Sequence, residues 1–130
     1  MQGIKKDIDL ANRIRAIQAN EDPPKAFQEL TDAATIVWDV EDGLSAWVTL
    51  TGGGTRALGT PSNVADGDFG TLKIEQGTGG DTLTLPGSFN VVNGGAGAVT
   101  LTAAIGSIDI ISWVYTDSKF WTTIGLNFTP

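Results

Sequence analysis

The side chains best suited to chemistry in this chain are carboxylates in two close groups, Asp39, Glu41 and Asp42, then Asp66 and Asp68. Two opposed carboxylates can cleave a glycosidic bond, and several acidic oxygens in one loop can hold calcium. Both groups also coincide with turn signals, Asp42-Gly43 and Asp66-Gly67-Asp68, where Asp bonds its own local backbone. Turn chemistry is the expected role, and the separation of the carboxylates in space decides among the three. The 130 residues include no His and no Cys. Ser–His–Asp and Cys–His nucleophiles, disulfides and zinc sites built on nitrogen or sulfur are thereby excluded. No catalytic residue, metal ligand or cofactor site is expected. Gly77-Thr78-Gly79-Gly80-Asp81 is glycine-rich, but no Lys-Ser or Lys-Thr follows it, so it reads as a hairpin loop and not as a phosphate cradle. Gly52-Gly53-Gly54 and Gly94-Gly95 read the same way.

Aromatic residues offer a second kind of chemistry. Trp38, Trp47, Trp113 and Trp121, with Tyr115 and Phe120, either fill a core or subunit interface or, where exposed, stack on sugar rings. Most are assigned to core or interface, and Trp47 and Trp121 are the candidates for ligand-facing positions.

The elements that must position these residues change character along the chain. From Ile4 to Ala19 the apolar residues Ile4, Ile8, Leu10, Ile14 and Ile17 fall on one side of a helical wheel, with Lys5, Lys6, Asp9 and Arg13 largely opposite. An isolated helix of this length is marginal in water, so that face must pack on its own β-domain, on copies of itself or on a docking partner. Pro23-Pro24 forms a stiff hinge, and Lys25–Leu30 is expected to make a short helical turn with Pro24 near its start. Residues 1–34 are therefore set apart as a helix-and-hinge segment, an anchor or oligomerisation segment where its apolar face packs on copies of itself or on a partner.

From Thr35 the apolar period becomes two. Strands are predicted over Thr35–Val40, Ala46–Leu50, Phe69–Gln76, Thr82–Leu85, Ser88–Val92, Val99–Thr102, Ile108–Tyr115 and Lys119–Leu126, separated by Gly, Asp, Asn, Ser or Pro. Leu72 and Ile74 should point inward, and Lys73 and Glu75 outward. The more apolar Ile108–Tyr115 should be central, buried on both faces or against a neighbouring subunit. Thr116-Asp117-Ser118 should turn it into a hairpin with the last strand. Residues 35–130 therefore read as a mainly β domain, a jelly-roll-like antiparallel β-sandwich preceded by a short N-terminal α-helix.

The balance of 8 basic against 15 acidic residues, a net charge of −7, argues against nucleic-acid binding, and no segment gathers the basic patch that a phosphate backbone requires. The longest apolar stretch, around Ile108–Tyr115, is too short to span a membrane, and no apolar segment follows Lys5-Lys6 to make a secretory signal. The expected product is soluble and made in a cytoplasm.

Order and character over residues 35–128 resemble a β-domain common at the C-terminal end of tail fibres and other appendage proteins of tailed bacteriophages. The resemblance begins with Phe27-Gln28-Glu29-Leu30-Thr31-Asp32 and Thr35-Ile36-Val37-Trp38-Asp39, followed by Gly43-Leu44-Ser45-Ala46-Trp47-Val48-Thr49-Leu50. It continues through Thr55-Arg56-Ala57-Leu58, Pro61-Ser62-Asn63, Gly70-Thr71-Leu72-Lys73-Ile74-Glu75-Gln76 and Gly79-Gly80-Asp81-Thr82-Leu83-Thr84. It closes with Ile108–Tyr115, Asp117 and Gly125-Leu126-Asn127-Phe128. The chain departs from the family at Gly52–Gly54, where the loop is longer, and at Ala57, where Thr is usual.

What the resemblance implies is a homotrimeric virion component, made in the host bacterium, that carries over no catalytic residue. The short anchor suits a head fibre or capsid decoration protein better than a long-shafted tail fibre. Residues Ile4–Ala19 would then dock on capsid or tail proteins, and the β-domain would project outward. The alternative is a tail-fibre or knob module that recognises a host-surface glycan or protein. A glycan depolymerase would need two opposed carboxylates in a groove.

Overall fold

Alternating buried and half-buried residues run through 46–50 and 72–76, and both stretches are strands in the computed structural model, which describes residues 27–129 apart from 53, 93, 94 and 98. The helix expected over Ile4–Ala19, its apolar residues Ile4, Ile8, Leu10, Ile14 and Ile17, and the Pro23-Pro24 hinge lie outside the described residues. In chain order the strands are β1 (Gln28–Glu29), β2 (Thr35–Ile36), β3 (Ala46–Leu50), β4 (Thr55–Leu58), β5 (Phe69–Gln76), β6 (Thr82–Thr84), β7 (Phe89–Val91), β8 (Gly95–Ala96), β9 (Ile108–Thr116) and β10 (Lys119–Phe128). They form one sheet ordered β1-β3-β5-β9-β10-β7-β8 and a second ordered β2-β4-β6.

The fold is mainly β, as expected, but its large sheet is mixed and its small sheet parallel, where an antiparallel sandwich was expected. β1, β3 and β5 are parallel, with Gln28, Ala46 and Leu72 in register, and β2, β4 and β6 are parallel, with Thr35, Ala57 and Thr84 in register. From β1 to β6 the chain crosses from one sheet to the other after every strand, so successive strand pairs stack as turns of a short coil. Parallel neighbours require long crossovers, and here each crossover contains a strand of the opposite sheet. β9 then lies antiparallel to β5, and β10 pairs antiparallel with β9 and parallel with β7. Alternation reports which side chains face the core, and it reads the same in either strand direction.

Four local expectations are corrected. Gln28–Glu29 is a strand and not a helical turn: Gln28 N–H donates to Ser45 O at 3.1 Å, and Leu30 N–H donates to Trp47 O at 2.8 Å. The β-structure therefore includes residues that the sequence assigned to the 1–34 segment. Val99–Thr102 is not a strand, although Val99 and Leu101 still pack on the core. Gly77–Asp81 is a crossover between sheets and not a hairpin loop, because β5 and β6 lie in different sheets. β9 is central, as expected, but among the described residues it is not buried on both faces: Asp109, Ile111 and Trp113 point inward, whereas Ser112 and Val114 are exposed, which leaves the alternative of a neighbouring subunit open.

Between the sheets, Ile36, Trp38, Leu50, Leu72, Ile74, Phe89, Ile111 and Phe120 are fully buried. Leu72 and Ile74 face inward as predicted. An aromatic cluster runs through this core: Trp38 and Trp113 meet edge-on at 5.7 Å, Trp113 and Phe120 at 5.3 Å, and Phe89 stacks on Phe120 at 4.3 Å. The Gly77–Asp81 crossover is tied down by buried polar groups. Gln76 Nε2 donates to Asp81 O, Asp81 N–H donates to Gln76 Oε1, and the Asp81 carboxylate accepts from Gly54 N–H at 2.7 Å and Thr78 Oγ1 at 3.0 Å. The β9–β10 hairpin forms as predicted. Asp117 and Ser118 take φ of 54° and 61°, the two left-handed positions of a two-residue turn whose twist suits the strands.

Candidate functional site

The two acidic groups cap turns. Asp39 Oδ1 accepts from Glu41 N–H at 3.0 Å and from Asn63 Nδ2 at 2.9 Å, while Asp42 N–H donates to Asp39 O. Asp68 Oδ2 accepts from Ala65 N–H at 2.8 Å, and Asp66 Oδ1 accepts from Asp117 N–H, which ties the 66–68 turn to the β9–β10 turn. Among the described residues no three acidic side chains gather as a metal site would require.

Arg56 makes the ion pair of the small sheet, with Nε 2.7 Å from Asp32 Oδ1. The hydrogen bond from Arg56 holds the Asp32 carboxyl below its ordinary value of 3.8, against the opposing push of burial, and Thr51 adds two further donors. The Asn63 side chain likewise lowers Asp39. A carboxyl lowered in the folded state contributes stability above its unfolded pKa and loses it as pH falls through the folded value. Thermal melts should therefore show a midpoint that holds between about pH 7 and pH 5 and falls in more acid solution. Asp32→Asn should make that acid fall shallower, and an unchanged slope would show that the pair contributes nothing to it.

The outer face of the large sheet gathers the remaining chemistry. Register places Phe69 of β5 beside Val114 of β9, and Val114 beside Trp121 of β10, with exposures of 70%, 39% and 44%. Trp121 is held in place: its Nε1 donates to Thr116 Oγ1 at 3.0 Å, and Lys119 Nζ sits 5.8 Å from its ring centre. The neighbouring row is hydroxylic. Thr71, Ser112 and Thr123 stand in register across β5, β9 and β10, and Ser45 joins them by accepting from Thr71 N–H at 3.2 Å.

A notch opens where β5 runs on past the start of β3, since the first residue of β3 pairs with Leu72 and leaves Phe69–Thr71 beyond it. Its volume is about 530 Å³, and its lining is mostly apolar surface from Leu44, Phe69, Gly70 and Trp113, with Ser45, Thr71 and Ser112 contributing a few polar groups. Glycine at position 70 is a requirement of this geometry, because a Cβ there would stand 2.1 Å from Leu44 O. Trp113 is buried, and its Nε1 has no hydrogen-bond partner among the described residues.

Of the two predicted ligand-facing aromatics, both stand on the outer face, but in different rows. Trp121 is exposed beside Val114, whereas Trp47 is half-buried in register with Lys73. Trp38 and Trp113 are core residues. The predicted anchor residues Ile4, Ile8, Leu10, Ile14 and Ile17 lie outside the described residues. Phe69 and the hydroxyl row were not singled out from the sequence. A signal for Phe69 was present, since continuing the Leu72/Ile74 alternation backwards puts residue 69 outward. The juxtaposition with Trp121 had none, because it depends on register across β9.

No family model, no curated protein and no solved structure matches this chain.

Proposed function

We propose that this chain is a non-catalytic structural subunit of a tailed-phage virion, a short trimeric head fibre or capsid decoration protein. Its N-terminal segment, through Ile4, Ile8, Leu10, Ile14 and Ile17, anchors it to other virion proteins, and the β-domain projects outward. The observation that supports this reading is exposed apolar contact surface on the β-domain. Its clustered carboxylates serve turns, and it exposes Leu126 and Phe128 (54% and 48%) at the end of β10 remote from Trp121. Apolar groups left in water at a strand end are stabilised by burial between subunits. The resemblance of residues 35–128 to the β-domain of phage appendages supplies the particle.

Light scattering coupled to size exclusion tests it. The full chain should run at three times the 13.6 kDa of one subunit, and a monomer at micromolar concentration would overturn the trimer. The second reading, a host-recognising module, is favoured by one specific feature, the aromatic and hydroxylic outer face.

A further inference from the structure

We propose that the notch beside β3, together with the Phe69–Val114–Trp121 row, is a binding site for a neutral saccharide. This deepens the host-recognition reading of the same face and rests on it, and it stands apart from the assembly reading.

The chemistry of the lining selects the ligand. A small-molecule site combines mostly apolar walls with a few polar groups, within a volume of roughly 300–1,000 Å³, and the notch falls in that range. No charged side chain lines it. A sugar ring presents a C–H face that stacks on an aromatic and a rim of hydroxyls that exchange hydrogen bonds, so it needs an aromatic platform next to neutral donors and acceptors. Here the platform and the hydroxyl row are adjacent rows of one sheet, Phe69–Val114–Trp121 alongside Thr71–Ser112–Thr123. Neighbouring strands are about 4.8 Å apart, so Phe69 and Trp121, two strands apart, span about 10 Å and suit a short oligosaccharide better than a single ring.

The competing ligands fit less well. An alkyl chain or apolar peptide laid across the face would strip water from the row of hydroxyls without replacing its hydrogen bonds. An anionic glycan or a phosphate would meet a chain of net charge −7 and no basic side chain in the notch; Lys119, beside the Trp121 ring, is the one cation among the described residues that the row brings to the site. The platform is also set before binding. The Trp121 ring is oriented by its bond to Thr116, and Phe69 sits on a strand held in register by β9, so the backbone of the platform is in place before a ligand arrives.

The test is an array of neutral hexose and N-acetylhexosamine oligosaccharides printed with uronate, sialylated and phosphorylated ones, probed with the full chain. Titration calorimetry on the strongest neutral oligosaccharide follows. The expected result is binding confined to the neutral set. Trp121→Ala and Phe69→Ser should each weaken it about tenfold, and Thr123→Val, which keeps the shape and removes a hydroxyl, several-fold. All three positions are on the outer face, so melting temperature should stay at the wild-type value. Absence of neutral binding, binding to anionic glycans alone, or unchanged affinity in both aromatic variants would overturn the site. No binding by the wild type together with a lower molar mass for Trp121→Ala would overturn it in favour of a subunit contact. Neutral binding by a protein that runs as a monomer would support the site and overturn the trimer alone.

Discussion

Phe120→Ala should destabilise the domain by about 3–5 kcal/mol, the range for removing a large buried aromatic. Phe120 is 1% exposed and lies at the centre of the aromatic cluster. It stacks on Phe89 at 4.3 Å with the rings 9° apart, and meets Trp113 at 5.3 Å and Tyr115 at 4.7 Å. Removing the ring costs its transfer out of water, those ring contacts and the cavity left behind. The neighbours cannot close that cavity cheaply, since Phe89 is held by β7 pairing in register with β10 and Trp113 by β9. A domain of this size has about 5–15 kcal/mol in total, so the variant should sit near the edge of folding. Urea denaturation followed by tryptophan fluorescence measures the loss, with Phe120→Leu expected to cost clearly less. A loss under about 1 kcal/mol for alanine would mean that the cluster repacks and that its geometry is not what holds β7 to β10.

Asp109→Ala should cost a comparable amount, for a different reason. This buried carboxylate accepts from Thr102 N–H at 2.7 Å, Thr102 Oγ1 at 2.9 Å and Asn127 N–H at 2.8 Å. It thus ties the irregular stretch before β9 to the end of β10, where the ladder with β9 shifts between Gly125 and Phe128 and Asn127 takes a φ of 58°. Alanine leaves two backbone N–H groups without their acceptor, at about 1–3 kcal/mol each, and strands the Thr102 hydroxyl. Both donors are only partly buried and water can reach them, so the total expected is about 2–4 kcal/mol, the lower part of that range. Asp109→Asn keeps one acceptor oxygen and should recover part of the loss. Hydrogen exchange separates this from a general loosening: the Thr102 and Asn127 amides should lose protection first, ahead of the amides paired between β5 and β9. Equal loss of protection everywhere would show that Asp109 is not a local tie.

Much of the local structure was legible because it follows from side-chain alternation and turn chemistry. The β3, β5 and β9–β10 strands, the inward Leu72 and Ile74, and the Asp117-Ser118 turn all rest on residues near in sequence. So does the role of Asp39 and Asp68, whose carboxylates bond backbone within three positions. Strand direction was not legible. β4, whose Arg56 interrupts any apolar alternation to reach Asp32, gave no sign of a strand, and β1 read as helix because Lys25–Leu30 follows prolines and contains good helix formers. In the sheet, pairing of Leu30 N–H and Trp47 O across the chain overrides that local preference.

The candidate site divides along the same line. Its residue types were visible: no His or Cys for catalysis, a net charge that disfavours anions, and Trp47 and Trp121 as aromatics able to face outward. Their arrangement was decided only by register. β9 lies between β5 and β10 and brings Phe69, 52 positions before Trp121 in the chain, into one row with it, while β3 stops short and opens the notch. Composition and period are local properties that any window of sequence contains. Which strands become neighbours is a balance of core packing and crossover lengths summed over the whole chain, and that balance exists only once the chain is folded.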